Sequence, residues 1–282
     1  MPKSRRTPPR TADRYIERPD GARIALYDDG NPDGQVTALL VHGAGSTHTV
    51  FDALVTHLTT LDEDLRIVRA DQRGHGSSTL GREAVSLRLL GEDLAAVVGL
   101  ATTGPVVVVA HSLGGLSALA LADARPDLIG THIAALLLAA TTGGGPAPSR
   151  QRGSDPAPSS AEGFSTRKAA VVAAQCLLRR RPLQTVAAYC AAMLANRPVE
   201  DLSALADIPV EVLVGDRDLW TPPSAASHLA GRIPSANLHV LPRAGHFLPT
   251  THPLTLAGHT LTLAEHATHT SPRRIRPPLA AL

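Results

Sequence analysis

Aromatic side chains are scarce in this chain, with three Phe, three Tyr and one Trp in 282 residues. A core must therefore be assembled from Ala, Val, Leu and Ile, and a hydrophobic content of 43% is sufficient to build one. Lysine occurs only at Lys3 and Lys168, so arginine carries nearly all the positive charge. Cys176 and Cys190 are the only cysteines, and their spacing fits no zinc or redox motif. That excludes a disulfide-stapled scaffold and predicts two reduced thiols. Long apolar runs are also missing. The longest, Ile133 to Ala140, is far short of the roughly 20 residues that span a bilayer. Arg5-Arg6 is followed by Thr7-Pro8-Pro9-Arg10 rather than an apolar segment, so no export signal is read and a cytoplasmic protein is expected. The net charge is +2, but residues 1–13 and 271–282 are each basic, which leaves a slightly acidic body. Such a body argues against a nucleic-acid groove, and the basic ends read as solvated tails.

Strand and helix signals alternate along the chain. Arg14 to Arg18 and Arg23 to Asp28 read as strands joined by a Pro19-Asp20-Gly21 turn, and Val36 to Val41 as a short buried strand. A helix is predicted from Thr49 to Thr60, a strand from Leu65 to Ala70 and a helix from Glu83 to Leu100. Four valines, Val106 to Val109, form the next strand, and His132 to Ala140 another. The rhythm breaks in the Gly/Pro/Ser-rich stretch 143–163, which reads as a lid connection or a plain solvated loop. Two Ala-rich helices follow, Phe164 to Arg181 and Pro182 to Asn196. Alternation resumes with Pro209 to Gly215, Pro222 to Ile233, Asn237 to Leu241 and Pro253 to His266. This order predicts an α/β fold with a mostly parallel sheet flanked by helices. The expected organisation is a disordered tail over 1–13, a core built from 14–141 and 207–268, a helical cap over 142–206, and a second tail over 269–282. A helical insert between strands of such a sheet lies over their carboxyl ends, where ligands bind.

Ser112 carries the strongest chemical signal. The valine strand runs into Ala110-His111-Ser112-Leu113-Gly114-Gly115 and then an Ala-rich helix. A serine at that turn is lifted off the strand end above a helix N-terminus, whose free N–H groups and dipole favour an oxyanion. Such a serine needs a base, an acid to orient the base, and oxyanion donors. His246 follows the last strand, and its position in the chain order separates it from twelve other histidines. Asp216 and Asp218 both follow the preceding strand; Asp218 is the favoured acid and Asp216 a turn former. Thr141-Thr142-Gly143 holds no carboxylate, which excludes an acid after the strand before that. The backbone N–H groups of Leu113 and Ala44 are the candidate oxyanion donors. His42 and His75 read as structural, and His111 as a poor base on the far side of the turn. His252, His259 and His266 recur every seven residues on the last helix, and His269 follows at three. Helix-borne metal ligands sit three or four apart, so only His266 and His269 could chelate, and no metal site is expected.

His42-Gly43, Asp71-x-Arg73-Gly74-x-Gly76-x-Ser78, His111-Ser112-Leu113-Gly114-Gly115, Gly215-x-x-Asp218-x-x-x-Pro222 and Gly245-His246 together resemble the ordered motif set of the α/β-hydrolase superfamily, closest to its capped esterases, lipases and perhydrolase-like members. The resemblance spans about residues 14–268. It departs at Ala110, where the family usually has glycine. It implies Ser112 as nucleophile, His246 as general base and Asp218 as orienting acid, with no cofactor. A serine at this position argues against epoxide hydrolases and haloalkane dehalogenases, whose nucleophile is an aspartate. The expected activity is hydrolysis of a carboxylic ester or thioester of a small, largely apolar molecule through an acyl-enzyme. Non-hydrolytic or C–C bond chemistry on the same scaffold, or ligand binding without turnover, are the alternatives. The cap, with Phe164, Tyr189 and Met193, is expected to line the acyl pocket.

Overall fold

The computed structural model describes residues 10–102, 104–143 and 201–270, and, between the last two, residues 169–170, 172–174, 176–177, 182–195 and 199. Among these, eight strands form one sheet: β1 (Arg14–Glu17), β2 (Arg23–Gly30), β3 (Thr37–Val41), β4 (Arg66–Ala70), β5 (Val106–His111), β6 (Ile133–Ala139), β7 (Val210–Gly215) and β8 (Ala236–Leu241). Their order is β1-β2-β4-β3-β5-β6-β7-β8. β2 is antiparallel to β1 and β4, and every later neighbour is parallel. The α/β fold read from the sequence is the fold observed.

Side-chain alternation along the strands divides the core in two. Val106, Val108 and Ala110 of β5 face one way, with Leu39, Val41, Leu136 and Leu138, and pack against α2 (Leu87–Ala101) and α3 (Leu113–Ala124). Val107 and Val109 face the other way, against α1 (Asp52–Leu61) and the last helix. Burial on both faces is why the strand is an unbroken run of valine rather than an alternating one. α2 and α3 approach closely because Gly91 has no side chain; a Cβ there would sit 2.7 Å from Ala120 backbone. α2 starts at Leu87 rather than Glu83, since the Ser86 hydroxyl accepts from the Leu89 N–H at 3.1 Å and caps the helix.

The remaining helices are α4 (Leu183–Ala195), α5 (Pro223–Ala230), the single turn α6 (Leu248–Thr251) and α7 (Pro253–Thr270). α4 confirms the second helix read in the 142–206 insert, and the described residues among 169–177 are also helical. The stretch 144–168, with Phe164, lies outside the described residues. α4 is fastened to the loop after β4: Tyr189 donates to the Arg73 carbonyl at 2.8 Å and Thr185 to the Gly74 carbonyl at 3.1 Å. Tyr189 and Met193 are fully buried, and Met193 belongs to the main core rather than to an open lining. Ala187 is exposed. Cys176 and Cys190 are unbridged.

The tail read for 1–13 ends earlier than its last residues. Arg10 pairs with Asp13 at 2.6 Å and Asp29 at 2.7 Å, and the Asp13 N–H donates to Leu26, so 10–13 continue the β1–β2 edge. α7 likewise extends through Thr270. A buried guanidinium ties this amino-terminal hairpin to the body. Arg73 donates to Asp93 at 2.6 and 2.8 Å, to Asp20 at 2.8 Å and to the Leu80 carbonyl at 2.8 Å. Burial works against its charge, but the two carboxylates outweigh burial and hold it protonated.

Candidate active site

β5 ends at His111, and α3 begins at Leu113, so Ser112 alone makes the turn. Its backbone has φ 55° and ψ −117°, a conformation that L residues rarely adopt. Strain of that kind costs about 1–3 kcal/mol. Burying one valine contributes roughly 1.5–3 kcal/mol, so the four-valine strand feeding the turn outweighs it. Three bonds clamp the strained residue. Its N–H donates to Ala139 at 2.9 Å, and its carbonyl accepts from the Thr141 hydroxyl at 2.7 Å and the Gly115 N–H at 3.0 Å. The turn also needs its glycines. A Cβ on Gly114 would lie 2.3 Å from the Val41 carbonyl, and one on Gly115 2.5 Å from the Thr141 hydroxyl.

Ser112 Oγ donates to His246 Nε2 at 2.9 Å, and His246 Nδ1 donates to Asp218 Oδ2 at 2.8 Å. The three residues predicted from separate loops therefore meet. Asp216 is exposed and makes no contact with the imidazole, because the chain turns between the two aspartates. Asp218 is nearly fully buried and accepts from the Trp220 and Thr221 N–H groups at 2.8 and 2.9 Å and from the Thr221 hydroxyl at 2.6 Å. Burial pushes its carboxyl up, but hydrogen bonding to and the charge of His246, with the bonds from Thr221, prevail and hold it below the usual carboxylate range.

The turn after β3 passes directly beside the serine. A Cβ on Gly43 would lie 2.9 Å from Ser112 Cβ, so the backbone of this turn abuts the serine. Leu113 is the first residue of α3, so its N–H has no acceptor within the helix. Two histidines hold this turn. His42 Nδ1 donates to the Gly43 carbonyl at 2.7 Å, while its Nε2 accepts from the Gln72 N–H at 3.0 Å. His75 Nε2 accepts from the Gly45 N–H at 3.0 Å, and its Nδ1 donates to the Arg73 carbonyl at 3.1 Å. Both rings are engaged at both nitrogens and serve the backbone. The His75 loop is in turn fixed by Asp71, whose carboxylate accepts from the His48 and Ser77 N–H groups at 2.7 and 3.0 Å and from the Tyr27 hydroxyl at 3.0 Å. His111 lies behind the turn and donates from Nε2 to the His246 carbonyl at 2.9 Å. Burial first, and the nearby His246 second, lower it to about 3, so it stays neutral.

Three contributors were missed in the sequence reading: Thr221, Thr141 and Trp220. Trp220 packs its ring 4.9 Å from His246 and 5.2 Å from Phe247. A lone tryptophan two residues after Asp218 was a usable signal. The scarce aromatics in fact gather on histidines: Tyr27 stacks on His48, Tyr189 meets His75 edge-on, and Trp220 and Phe247 flank His246. A second cluster was also missed. His259 lies beside His239 and Glu211, with ring centroids 4.5 Å apart for the two histidines.

Residues 38–259 match the model of the "Alpha/beta hydrolase family". The chain belongs to the alpha/beta hydrolase family. Similar proteins include "Probable oxidoreductase EphD" of Mycobacterium tuberculosis, 42% identical over 106 residues, or 36% of this chain and 17% of that protein. "Lipase LipV" of the same organism is 36% identical over 108 residues, 38% of each chain. These stretches cover well under two thirds of either relative. In three dimensions a thermophilic esterase from Thermogutta terrifontis aligns with a TM-score of 0.69 over 90% of this chain and 99% of its own. At 23% identity that likeness speaks to the fold alone. Among the described residues no helix is long and apolar enough to cross a membrane.

Proposed function

We propose that this hydrolase cleaves a carboxylic ester or thioester of a small, largely apolar molecule through an acyl-enzyme on Ser112. The observation that carries the reading is the continuous hydrogen-bonded line from Ser112 through His246 to Asp218. In that line the Nδ1–H tautomer of His246 leaves the Nε2 lone pair facing the serine proton. As Ser112 Oγ bonds to the substrate carbonyl carbon, His246 takes that proton, and Asp218 stabilises the imidazolium. The carbonyl oxygen, now an oxyanion, is held by the Leu113 and Ala44 N–H groups. Collapse breaks the bond to the leaving alcohol or thiol, which receives the proton from His246. Water then gives a proton to His246 and attacks the acyl carbon; the bond to Ser112 Oγ breaks, Oγ takes the proton back from His246, and the acid leaves. No metal or cofactor enters these steps. Trp220 and Phe247 flank the imidazole with apolar surface, which supports an apolar substrate. The 142–206 insert, anchored through Tyr189 and Thr185, is assigned as the cover of the site.

Covalent labelling by a fluorophosphonate probe tests the nucleophile. Wild type should label, and Ser112→Ala should not, with nearly the same melting temperature. Equal labelling of the variant removes Ser112 from the mechanism. A panel of p-nitrophenyl esters and acyl thioesters separates turnover from mere binding; a protein that labels but turns over none of them is not an esterase or thioesterase.

A further inference from the structure

We propose that Glu211, His239 and His259 form a binding site for Zn²⁺, or a divalent transition-metal ion of similar preference, remote from Ser112. The three residues come from three elements: β7, the edge strand β8, and α7. One donor atom from each lies within 4.8 Å of the other two. His259 Nδ1 is 3.4 Å from Glu211 Oε2. Donors around a tetrahedral zinc with bonds near 2.05 Å sit about 3.3 Å apart, so this pair already has the required separation. His239 Nε2 contacts the same carboxylate oxygen.

Hydrogen bonding does not account for that contact. Glu211 Oε2 and His239 Nε2 are both buried atoms without a hydrogen-bond partner of acceptable geometry among the described residues. A carboxylate oxygen and an imidazole nitrogen that converge with no aligned hydrogen bond between them form a place that a cation can satisfy. The other carboxylate oxygen, Oε1, accepts from the Asn237 side-chain amide at 3.2 Å. That bond orients the carboxylate so that Oε2 is presented to the imidazoles, as outer-shell partners of metal ligands do. Two nitrogens and one oxygen suit zinc, cobalt, nickel or copper, whereas calcium and magnesium prefer oxygen donors. The side chains are 15%, 38% and 25% exposed for Glu211, His239 and His259, so an ion can enter from solvent and keep water at its remaining position.

The site cannot reach the reacting serine. Glu211 lies four residues before Gly215, on the order of 13 Å along the strand, and Asp218 follows beyond that end. Its consequence is mechanical: an ion there fastens the edge strand β8 to the last helix.

Full-length protein stripped with a chelator and dialysed should bind one Zn²⁺ per chain by calorimetry. Titrated with CoCl₂ it should give visible d–d absorption of a low-symmetry site. Glu211→Gln, His239→Ala and His259→Ala should each weaken binding by at least about 100-fold, since even outer-shell partners contribute 10- to 100-fold. A His266→Ala/His269→Ala double variant, which removes the pair that the sequence spacing alone favoured, should bind as wild type does. The cobalt spectrum of the wild type decides the matter even where a variant folds poorly. Absence of stoichiometric binding by wild type overturns the proposal, and so does binding that survives His259→Ala but is lost in the double variant.

Discussion

Asp216 and Asp218 differ by two positions and have opposite surroundings, one exposed and one buried against His246. Asp218→Asn should lower kcat by about 10²–10⁴-fold through loss of the tautomer and charge support, whereas Asp216→Asn should change it little. Steady-state kinetics of both variants on one ester check this, and a larger defect at position 216 would reverse the assignment. His111 supplies a test of electrostatics. Its folded value of about 3 lies below the unfolded value of about 6.5, so the unfolded chain binds the extra proton between these limits. Its contribution to stability is therefore complete above about pH 6.5 and is lost as the pH falls, with a slope of about 1.4 kcal/mol per pH unit. Denaturant unfolding at several pH values should show His111→Gln lacking that slope; an unchanged slope would mean the ring is not held neutral. That Ser112, Asp218 and His246 come together was readable because each follows a strand, in a fixed order along the chain. Thr221 and Thr141 were not, since their hydroxyls matter only through partners that folding brings near. Glu211, His239 and His259 come from two strands and a helix and share no helical or strand period, so spacing along the chain could not bring them together as a group.

At the level of elements, the valine and leucine runs announced the strands well, because strands buried on both faces leave no polar interruptions to confuse the pattern. Ends were less legible: the start of α2 is set by the Ser86 cap rather than by where apolar residues begin. The insert was the hardest to read. Its Ala-rich composition gives a helix but no facing, and Tyr189 and Met193 turn out to face the body. Met193→Ala should therefore act first on stability, by about 2–5 kcal/mol, rather than on acyl-chain preference. Tyr189→Phe should remove one of the two donors to the Arg73 carbonyl and leave the other, His75, in place, costing about 0.5–1.5 kcal/mol. Urea unfolding measures both; a Met193→Ala protein with wild-type stability and a shifted chain-length profile would place that side chain in the substrate pocket instead.

For the whole molecule, ester turnover should survive exhaustive chelation with EDTA, because no metal enters the proposed steps. Loss of turnover, restored by zinc, would bring a metal into the reaction. Asp20→Ala, which removes one of the two carboxylates around a fully buried guanidinium, should destabilise the fold by about 3–5 kcal/mol. That guanidinium has a bearing on where the protein can be cut. The family match begins at residue 38, after the β1–β2 hairpin, and a minimal fragment drawn from it would look complete. It would carry Arg73 and Asp93 but discard Asp20, leaving a positive charge sealed in the interior with one counter-charge. The boundary of the folding unit is thus earlier than the boundary of the recognisable sequence. A fragment starting at Arg10 should express as a cooperative fold, and one starting at residue 38 should not.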